Sequence, residues 1–308
     1  MTVDFVKYQA LGNDYLVVDA ARSGLAGGPA VARLLCDRHY GIGADGVLFA
    51  PAGGGEGVPV HAGAPIPVRT FNADGSVCGR SVNGVRMLAL YLAEQAGGTE
   101  FVVRTPAGDT PVTIRDAAAG LVEVRLPPPS FEAADLPVAG RSGSVAELTL
   151  QVGGEQLTFC CLANGNPHAV LLGAPVDADR VRRLGPLVAG HPAFPQRVNV
   201  AFGTVLDREL IELRIFERGA GYTLASGSSS CAVAAAARLR GLIGDRVVVR
   251  MPGGEVVVGF DAEQRLSLAG VVEKVASGTF AGALHNRLVA AEQAERAAPT
   301  ERQERVPA

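Results

Sequence analysis

The stretch ERGAGYTLASGSSSCAVAAAARLRGL, residues 217–242, decides the fold of this chain. Its alanine-rich end predicts a buried apolar helix, and the small residues before that helix let the backbone approach a ligand closely. The first N–H groups of a helix have no partner within it and lie at the positive end of its dipole. Residues 226–230 are therefore predicted to form a helix N-terminus that can receive a carboxylate or a phosphate.

The composition of the 308 residues predicts a globular protein with a substantial core, because 48% of them are hydrophobic. The net charge of -3 and the 5% of aromatic residues argue against a nucleic-acid partner. The charged start and the lack of a run of about 18 apolar residues predict a cytoplasmic protein with no membrane partner. The five cysteines contain no CxxC pair, so neither a disulfide framework nor a metal site is expected.

The chain contains an internal repeat. LGNDYLVV in the first half and NGNPHAVLL in the second each combine a Gly-Asn turn with a strand. Asn72 stands nine positions before Ser81, and Glu217 stands nine positions before Ser226. An apolar helix pattern follows each serine. Two such copies predict a pseudo-two-fold pair of domains whose helix N-termini and serines face one cleft, although serine also caps helices without any ligand.

The pattern of strands and helices predicts an α+β protein. The triplet Pro127-Pro128-Pro129 ends a run of strands and marks the expected boundary between the halves. The predicted units are an N-terminal half (1–129), a C-terminal half (130–272), a segment returning to the N-terminal half (273–287) and a charged tail (288–308). We expect the tail to be frayed helix or disordered. The Gly- and Pro-rich segment 52–67 is predicted to be an insertion without chemistry.

Several blocks of the sequence together resemble a known family. They are KYQALGNDYLVVD, DRHYGIGADGVL, FNADG with NGVR, NGNPHAV, RVNVAF, ERGAGYTLASG and MPGGEV. In this order, over roughly residues 5–275, they resemble the signature blocks of diaminopimelate epimerases. The resemblance implies two pseudo-symmetric α+β domains, each a strand-rich roll around a central helix, with the active cleft between them.

The resemblance also implies an activity, inversion at an amino-acid α-carbon by an isomerase of the epimerase or racemase type. The family uses no metal or pyridoxal cofactor: one cysteine removes the α-proton, and a second cysteine across the cleft delivers a proton to the opposite face. A small amino acid is the implied partner, and a homodimer is compatible with this interpretation.

Both cysteine positions of the family fall on serines in this chain, Ser81 and Ser226, which the resemblance makes the catalytic pair. Val82 replaces a family glycine, Tyr222 stands where glutamate is common, and Ser228-Ser229 replaces Thr-Gly. The positions that would hold the amino acid are otherwise retained: Asn13, Asn72, Asn83, Gly84, Asn166, Asn199, Glu217, Arg218, Gly227 and Ser228. Among these, Arg218 suits a bidentate contact with a carboxylate.

Replacing thiols with hydroxyls changes the acidity of the site. A thiol has a reference pKa of about 8.5, whereas a hydroxyl treated like water has roughly 15.7, a difference of ~10 kcal/mol at about 1.36 kcal/mol per unit. A helix N-terminus offsets at most about 2 kcal/mol. Each serine would therefore need a neighbouring base, and the motifs place no His or Lys beside either one.

Four functions stay open on the sequence alone. The first is an epimerase or racemase that uses Ser81 and Ser226 as the facing acid and base. The second is a diverged isomerase or dehydratase in which a serine donates or relays a proton while another group is the base. The third is a non-catalytic amino-acid-binding homologue, and the fourth is an engineered Cys→Ser form. The further changes at Val82 and Tyr222 favour natural divergence over engineering.

Overall fold

The computed structural model describes residues 4–50 and 64–297, so most of the predicted insertion 52–67 lies outside the described residues. The helices are α1 (Ala20–Ser23), α2 (Pro29–Cys36), α3 (Val82–Ala96), α4 (Ala178–Ala189), α5 (Gly227–Leu239) and α6 (Gly282–Ala297). The strands of the first half are β1 (Phe5–Ala10), β2 (Asn13–Asp19), β3 (Gly46–Ala50), β4 (Ile66–Pro67), β5 (Arg69–Asn72), β6 (Glu100–Thr105), β7 (Gly108–Asp116) and β8 (Leu121–Leu126). Those that follow are β9 (Leu148–Val152), β10 (Glu155–Ala163), β11 (Pro167–Leu172), β12 (Asn199–Val205), β13 (Leu210–Glu217), β14 (Gly221–Thr223), β15 (Arg246–Met251), β16 (Gly254–Phe260), β17 (Leu266–Val271) and β18 (Glu273–Gly278).

The strands form two sheets. The smaller has the order β18-β1-β2-β3-β5. The larger runs β4-β6-β7-β8-β17-β16-β15-β13-β12-β11-β10-β9, with β14 added on β13. Because β8 pairs with β17, this sheet passes from one half of the chain into the other. The strand β18 returns to the first half and pairs antiparallel with β1.

Each half wraps strands around one buried helix. The helix α3 packs against β1, β2, β3, β6, β7 and β8, and α5 packs against strands from β10 to β17. Every residue of α3 from Val82 to Leu92 is buried, as is α5 from Ser229 to Ala237. A helix that is apolar on all sides requires such a cover. The predicted α+β class with one central helix in each half is therefore confirmed.

The N-terminal hairpin connects the two halves at its turn. Leu11 and Gly12 have φ values of 57° and 84°, the two positive angles of a type I′ turn. Asn13, the second residue of the Gly-Asn pair, is the first residue of β2. The Leu11 carbonyl packs directly on Gly253, where any side chain would overlap it. The β1–β2 turn of the first half therefore packs on the β15–β16 turn of the second half.

The helix α6 replaces the frayed or disordered tail that we expected from Leu288 onward, as far as residue 297. Leu288 has no exposed surface and belongs to the apolar cluster around α2. Glu292 accepts a hydrogen bond from the Gly27 N–H at 2.7 Å, and the Glu295 carboxylate lies against Gly28, which precedes the first residue of α2. Two carboxylates therefore meet the positive end of α2, which favours negative charge. None of the helices in the described parts of the chain has the length and hydropathy to cross a membrane.

Replacing Leu288 with Ala is expected to lower the free energy of unfolding by about 2–5 kcal/mol, because a wholly buried Leu leaves a cavity. Urea unfolding measures this change. The matched control is Gln293→Ala on the exposed side of α6, which should shift the value by less than about 0.5 kcal/mol. Equal effects of the two substitutions would show that α6 is not docked.

Candidate active site

The two serines cap the two central helices. Ser81 precedes α3, and its Oγ accepts a hydrogen bond from the Gly84 N–H at 3.0 Å. Ser226 precedes α5, and its Oγ accepts from the Ser229 N–H at 3.4 Å and lies 3.4 Å from the Ser228 Oγ. Both backbones are extended at the cap, as N-cap residues usually are. The repeat seen in the sequence is therefore a repeat of local structure.

The two helix N-termini meet. A Cβ added at Gly227 would lie 2.9 Å from Val82 Cγ1 and 3.3 Å from Asn83 Oδ1, so the start of α5 lies directly against the start of α3. Val82, Asn83 and Ser226 are only 5%, 6% and 5% exposed. The two helix starts are thus buried where they meet, while Ser81 and Ser228 stay partly exposed beside them.

A chain of hydrogen bonds fixes two of the predicted ligand-binding amides. Arg86 Nη2 donates to Asn83 Oδ1 at 2.7 Å, Asn83 Nδ2 donates to Asn13 Oδ1 at 3.1 Å, and Asn13 Nδ2 donates to Asp45 Oδ2 at 3.0 Å. Arginine can only donate and an ionised carboxylate can only accept. Arg86 and Asp45, at the two ends of this hydrogen-bond series, therefore set the orientation of both amides. The Asn83 oxygen faces Arg86, and the Asn13 oxygen faces Asn83.

The second half supplies another group of polar contacts. Asn199 Oδ1 accepts from the Arg218 backbone N–H at 2.8 Å, and the Arg218 Nη1 donates to the Gln196 carbonyl at 3.1 Å. Asn164, which the motifs had not singled out, donates from Nδ2 to the Ser228 carbonyl at 2.8 Å. It thereby ties the β10–β11 turn to the first turn of α5.

The side chains of two predicted binding residues make no hydrogen bond to the other described residues of this group. Asn72 Nδ2 donates to Ser76 Oγ at 2.9 Å, within its own turn. Asn166 contributes its carbonyl, which accepts the Asn164 N–H at 3.2 Å in the β10–β11 turn. The structure therefore joins Asn13 with Asn83 directly, whereas Asn72 is the last residue of β5 and Asn166 lies in the β10–β11 turn.

Each serine has a titratable neighbour that the motifs did not reveal. Burial raises the pKa of the Glu217 carboxyl, and the nearby hydroxyls of Ser226 and Thr223 act in the opposite direction. Burial likewise raises the pKa of the Tyr15 phenol, and the nearby Ser81 acts to lower it. Glu217 and Tyr15 are therefore the titratable groups near the two serines, and neither makes a hydrogen bond with its serine in this structure.

His168 is a further buried group of the site. It has no exposed surface, and neither ring nitrogen has a hydrogen-bond partner. Burial, assisted by the Arg218 cation, lowers the pKa of its imidazole to about 3, so the ring is neutral. His168 lies beside Asn199 in the β11–β12 register. The repeat contained the signal for it, because His168 follows Gly165 at the same spacing as Tyr15 follows Gly12.

Two residues that depart from the family pattern, Val82 and Tyr222, make defined contacts in the structure. Val82 forms the wall against which Gly227 packs. The Tyr222 ring lies under the Arg182 guanidinium, with the carbon at its centre 4.6 Å from the ring centroid, a distance at which the cation and the ring attract each other. Cys231 lies within the apolar part of α5 and has no exposed surface, and burial raises the pKa of its thiol to about 12.

Glu217→Gln is expected to raise the free energy of unfolding more at pH 8 than at pH 4. Because the folded-state pKa of Glu217 is raised above 4.5, the stability contributed by its protonated form is present below the unfolded pKa and is lost as the pH rises through the folded one. The neutral amide has no such loss. Urea unfolding of both proteins at the two pH values measures the difference, and a difference independent of pH would contradict the buried carboxylate.

Comparisons with known proteins agree with this architecture. The diaminopimelate epimerase family model matches residues 5–131 and 160–275. The chain is 38% identical over 276 residues to diaminopimelate epimerase 2 of Nostoc sp., covering 89% of this chain and 94% of that protein. It is 38% identical over 287 residues to the diaminopimelate epimerase of Synechocystis sp., covering 90% and 99%.

The fold is similar to that of a hydroxyproline epimerase from Agrobacterium vitis, solved with trans-4-OH-L-proline bound, with a TM-score of 0.61 and 16% identity over 89% of this chain and 90% of that one. The family match covers strands of both halves and both serine positions. The chain therefore belongs to the diaminopimelate epimerase family and is an isomerase of the amino-acid epimerase or racemase type.

Proposed function

We propose that this chain removes and returns a proton at the α-carbon of an amino acid held between Ser81 and Ser226. The observation that carries this proposal is the meeting of two helix N-termini at Gly227 and Val82. Their unpaired N–H groups and dipoles favour an anion at that point. When an α-proton leaves, negative charge builds up on the adjacent carboxylate, and fixed donors aimed at developing charge are a large source of catalysis.

The base on the Ser226 face is Glu217. Ser226 accepts the α-proton on Oγ while its own hydroxyl proton passes to the Glu217 carboxylate. The serine never has to become an alkoxide, so its hydroxyl pKa of roughly 15.7 does not set the barrier. Burial supports this role, since a raised pKa makes the Glu217 carboxylate a stronger base near neutral pH.

Diaminopimelate is the first substrate to test, supported by the names of the relatives. Arg218 and Asn199 offer donors for the second carboxylate of such a molecule. The Asn199 oxygen already accepts from the Arg218 backbone, which leaves its Nδ2 group to donate. As the place of action we propose the cytoplasm, supported by the five free cysteines.

The test is α-proton exchange in deuterated water with the stereoisomers of diaminopimelate and a panel of other amino acids. We expect loss of the α-proton NMR signal and a change of configuration on chiral chromatography for at least one substrate. Binding measured by calorimetry without exchange of any α-proton would contradict the proposal and favour a non-catalytic binding protein.

Glu217→Gln should lower the exchange rate by about 10²–10⁴, the usual contribution of a positioned base. The amide keeps the shape of the side chain and removes its basicity. The matched control is Glu209→Gln at the exposed start of the same strand region, which should leave the rate unchanged. Unchanged exchange in Glu217→Gln would mean that another group removes the proton.

A further inference from the structure

We propose that a pocket on the outer face of the second half binds a free α-amino acid with an aliphatic side chain, at a site separate from the two serines. The pocket lies between β12, β13, the end of β15 and the segment before α4, and its volume is about 210 Å³. Sites for drug-sized ligands are larger, about 300–1,000 Å³. The pocket therefore suits one small metabolite. This inference goes beyond the proposed function and does not rest on it.

The strand register gathers the polar side chains of the pocket on one face of the sheet. Thr204 of β12 lies opposite Glu212 of β13, and Phe202 lies opposite Arg214. Residues directly opposite in an antiparallel pair share a face, and so do residues two positions apart on one strand. All four line the pocket, and Thr204, Glu212 and Arg214 are half-buried.

Glu212 and Arg214 are the two charges of the pocket that remain free. Within residues 4–50 and 64–297, neither side chain has an ion-pair or hydrogen-bond partner. Arg250 lies beside Glu212 in the register of β13 with β15, but its Nε is paired with Glu255 Oε1 at 2.7 Å. Side chains on the same face of a strand start about 7 Å apart. One small molecule can therefore reach both free charges.

This pair of charges matches a free α-amino acid. Such a molecule carries an ammonium and a carboxylate group at neutral pH. The Arg214 guanidinium can hold the carboxylate through two parallel hydrogen bonds, while the Glu212 carboxylate and the Thr204 hydroxyl can accept from the ammonium group. A simple anion would bring negative charge next to Glu212. The site therefore favours a zwitterion over a phosphate or a lone carboxylate.

The remaining walls of the pocket are apolar. Phe202, Val176 and Pro252 supply them, and Val176 packs against the apolar cluster to which Phe202 belongs. A ligand side chain that covers these walls removes apolar surface from water, which favours binding. We therefore expect the side chain of the bound amino acid to be aliphatic, as in leucine.

The sheet separates this pocket from the two serines. Leu213 lies between Glu212 and Arg214 on β13, points to the opposite face and belongs to the apolar cluster that contains α5. Met251, which also lines the pocket, accepts on its Sδ from the Ser226 N–H at 3.5 Å and from the Ser230 Oγ at 3.3 Å. The pocket is therefore a second site on the far side of the strands that support Ser226.

Calorimetric titration of the wild-type protein with L-leucine and two of its analogues tests the proposed ligand class. The analogue 4-methylpentanoate lacks the ammonium group, and 3-methylbutylamine lacks the carboxylate. We expect saturable binding of L-leucine and an affinity at least about 10-fold lower for each analogue, because hydrogen bonds between charged groups are lost. The inference is overturned if L-leucine shows no saturable binding in the millimolar range, or if either analogue binds equally well.

Substitutions test the location of the bound leucine. Glu212→Gln and Arg214→Met should each weaken L-leucine binding by about 10-fold or more, with circular dichroism spectra like that of the wild type. The matched controls are Glu209→Gln and Arg246→Met, at exposed positions near the start of β13 and at the start of β15. Neither control should change the affinity. Equal weakening by these controls would contradict a specific site at Glu212 and Arg214.

Glu217→Gln distinguishes this pocket from the cleft, because Glu217 lies near Ser226 and does not line the pocket. We expect it to leave L-leucine binding unchanged. Loss of binding in Glu217→Gln together with unchanged binding in Glu212→Gln would place leucine in the cleft and overturn this inference. Absence of α-proton exchange in the wild type would refute the proposed function alone, because leucine binding at Glu212 and Arg214 requires no turnover.

Discussion

The contact between Gly227 and Val82 is the constraint on which the site depends. A side chain at residue 227 would lie 2.9 Å from Val82 Cγ1, so α5 can reach α3 this closely only with glycine at its first position. The contact brings two positive helix ends to one point. Each end favours a nearby negative charge by about 0.3–1 kcal/mol, and the arrangement is therefore best satisfied when an anion lies between them.

Arg86 lies one turn into α3 and is buried in the core. Its side chain has no exposed surface, and burial lowers the pKa of the guanidinium to about 10. Two of its nitrogens, Nε and Nη1, have no hydrogen-bond partner, and a buried charge with incomplete hydrogen bonding is costly. The third nitrogen orients Asn83, which orients Asn13 in turn. The buried Arg86 therefore fixes the orientation of the Asn83 and Asn13 amides.

Exchanging thiols for hydroxyls changes the symmetry of the chemistry. Two cysteines can each serve as acid or base, because a thiol titrates near the working pH. Two serines cannot, and in the proposed function the Ser226 face depends on Glu217 as its base. A pseudo-symmetric backbone can therefore hold two faces of different chemistry, since the repeat fixes positions and leaves the residue types free.

The sequence by itself determined the elements and their repeat. Periodicity located both central helices, and the Gly-Asn turns and the nine-residue spacing to Ser81 and Ser226 placed both helix starts, because these signals are local. It could not show that β8 pairs with β17 or that α6 docks through Glu292, since such contacts join residues far apart in the chain. It also could not show that burial raises the pKa of Glu217 near Ser226. Strand register and helix packing decide which side chains meet at the two helix starts, and only the tertiary structure contains that information.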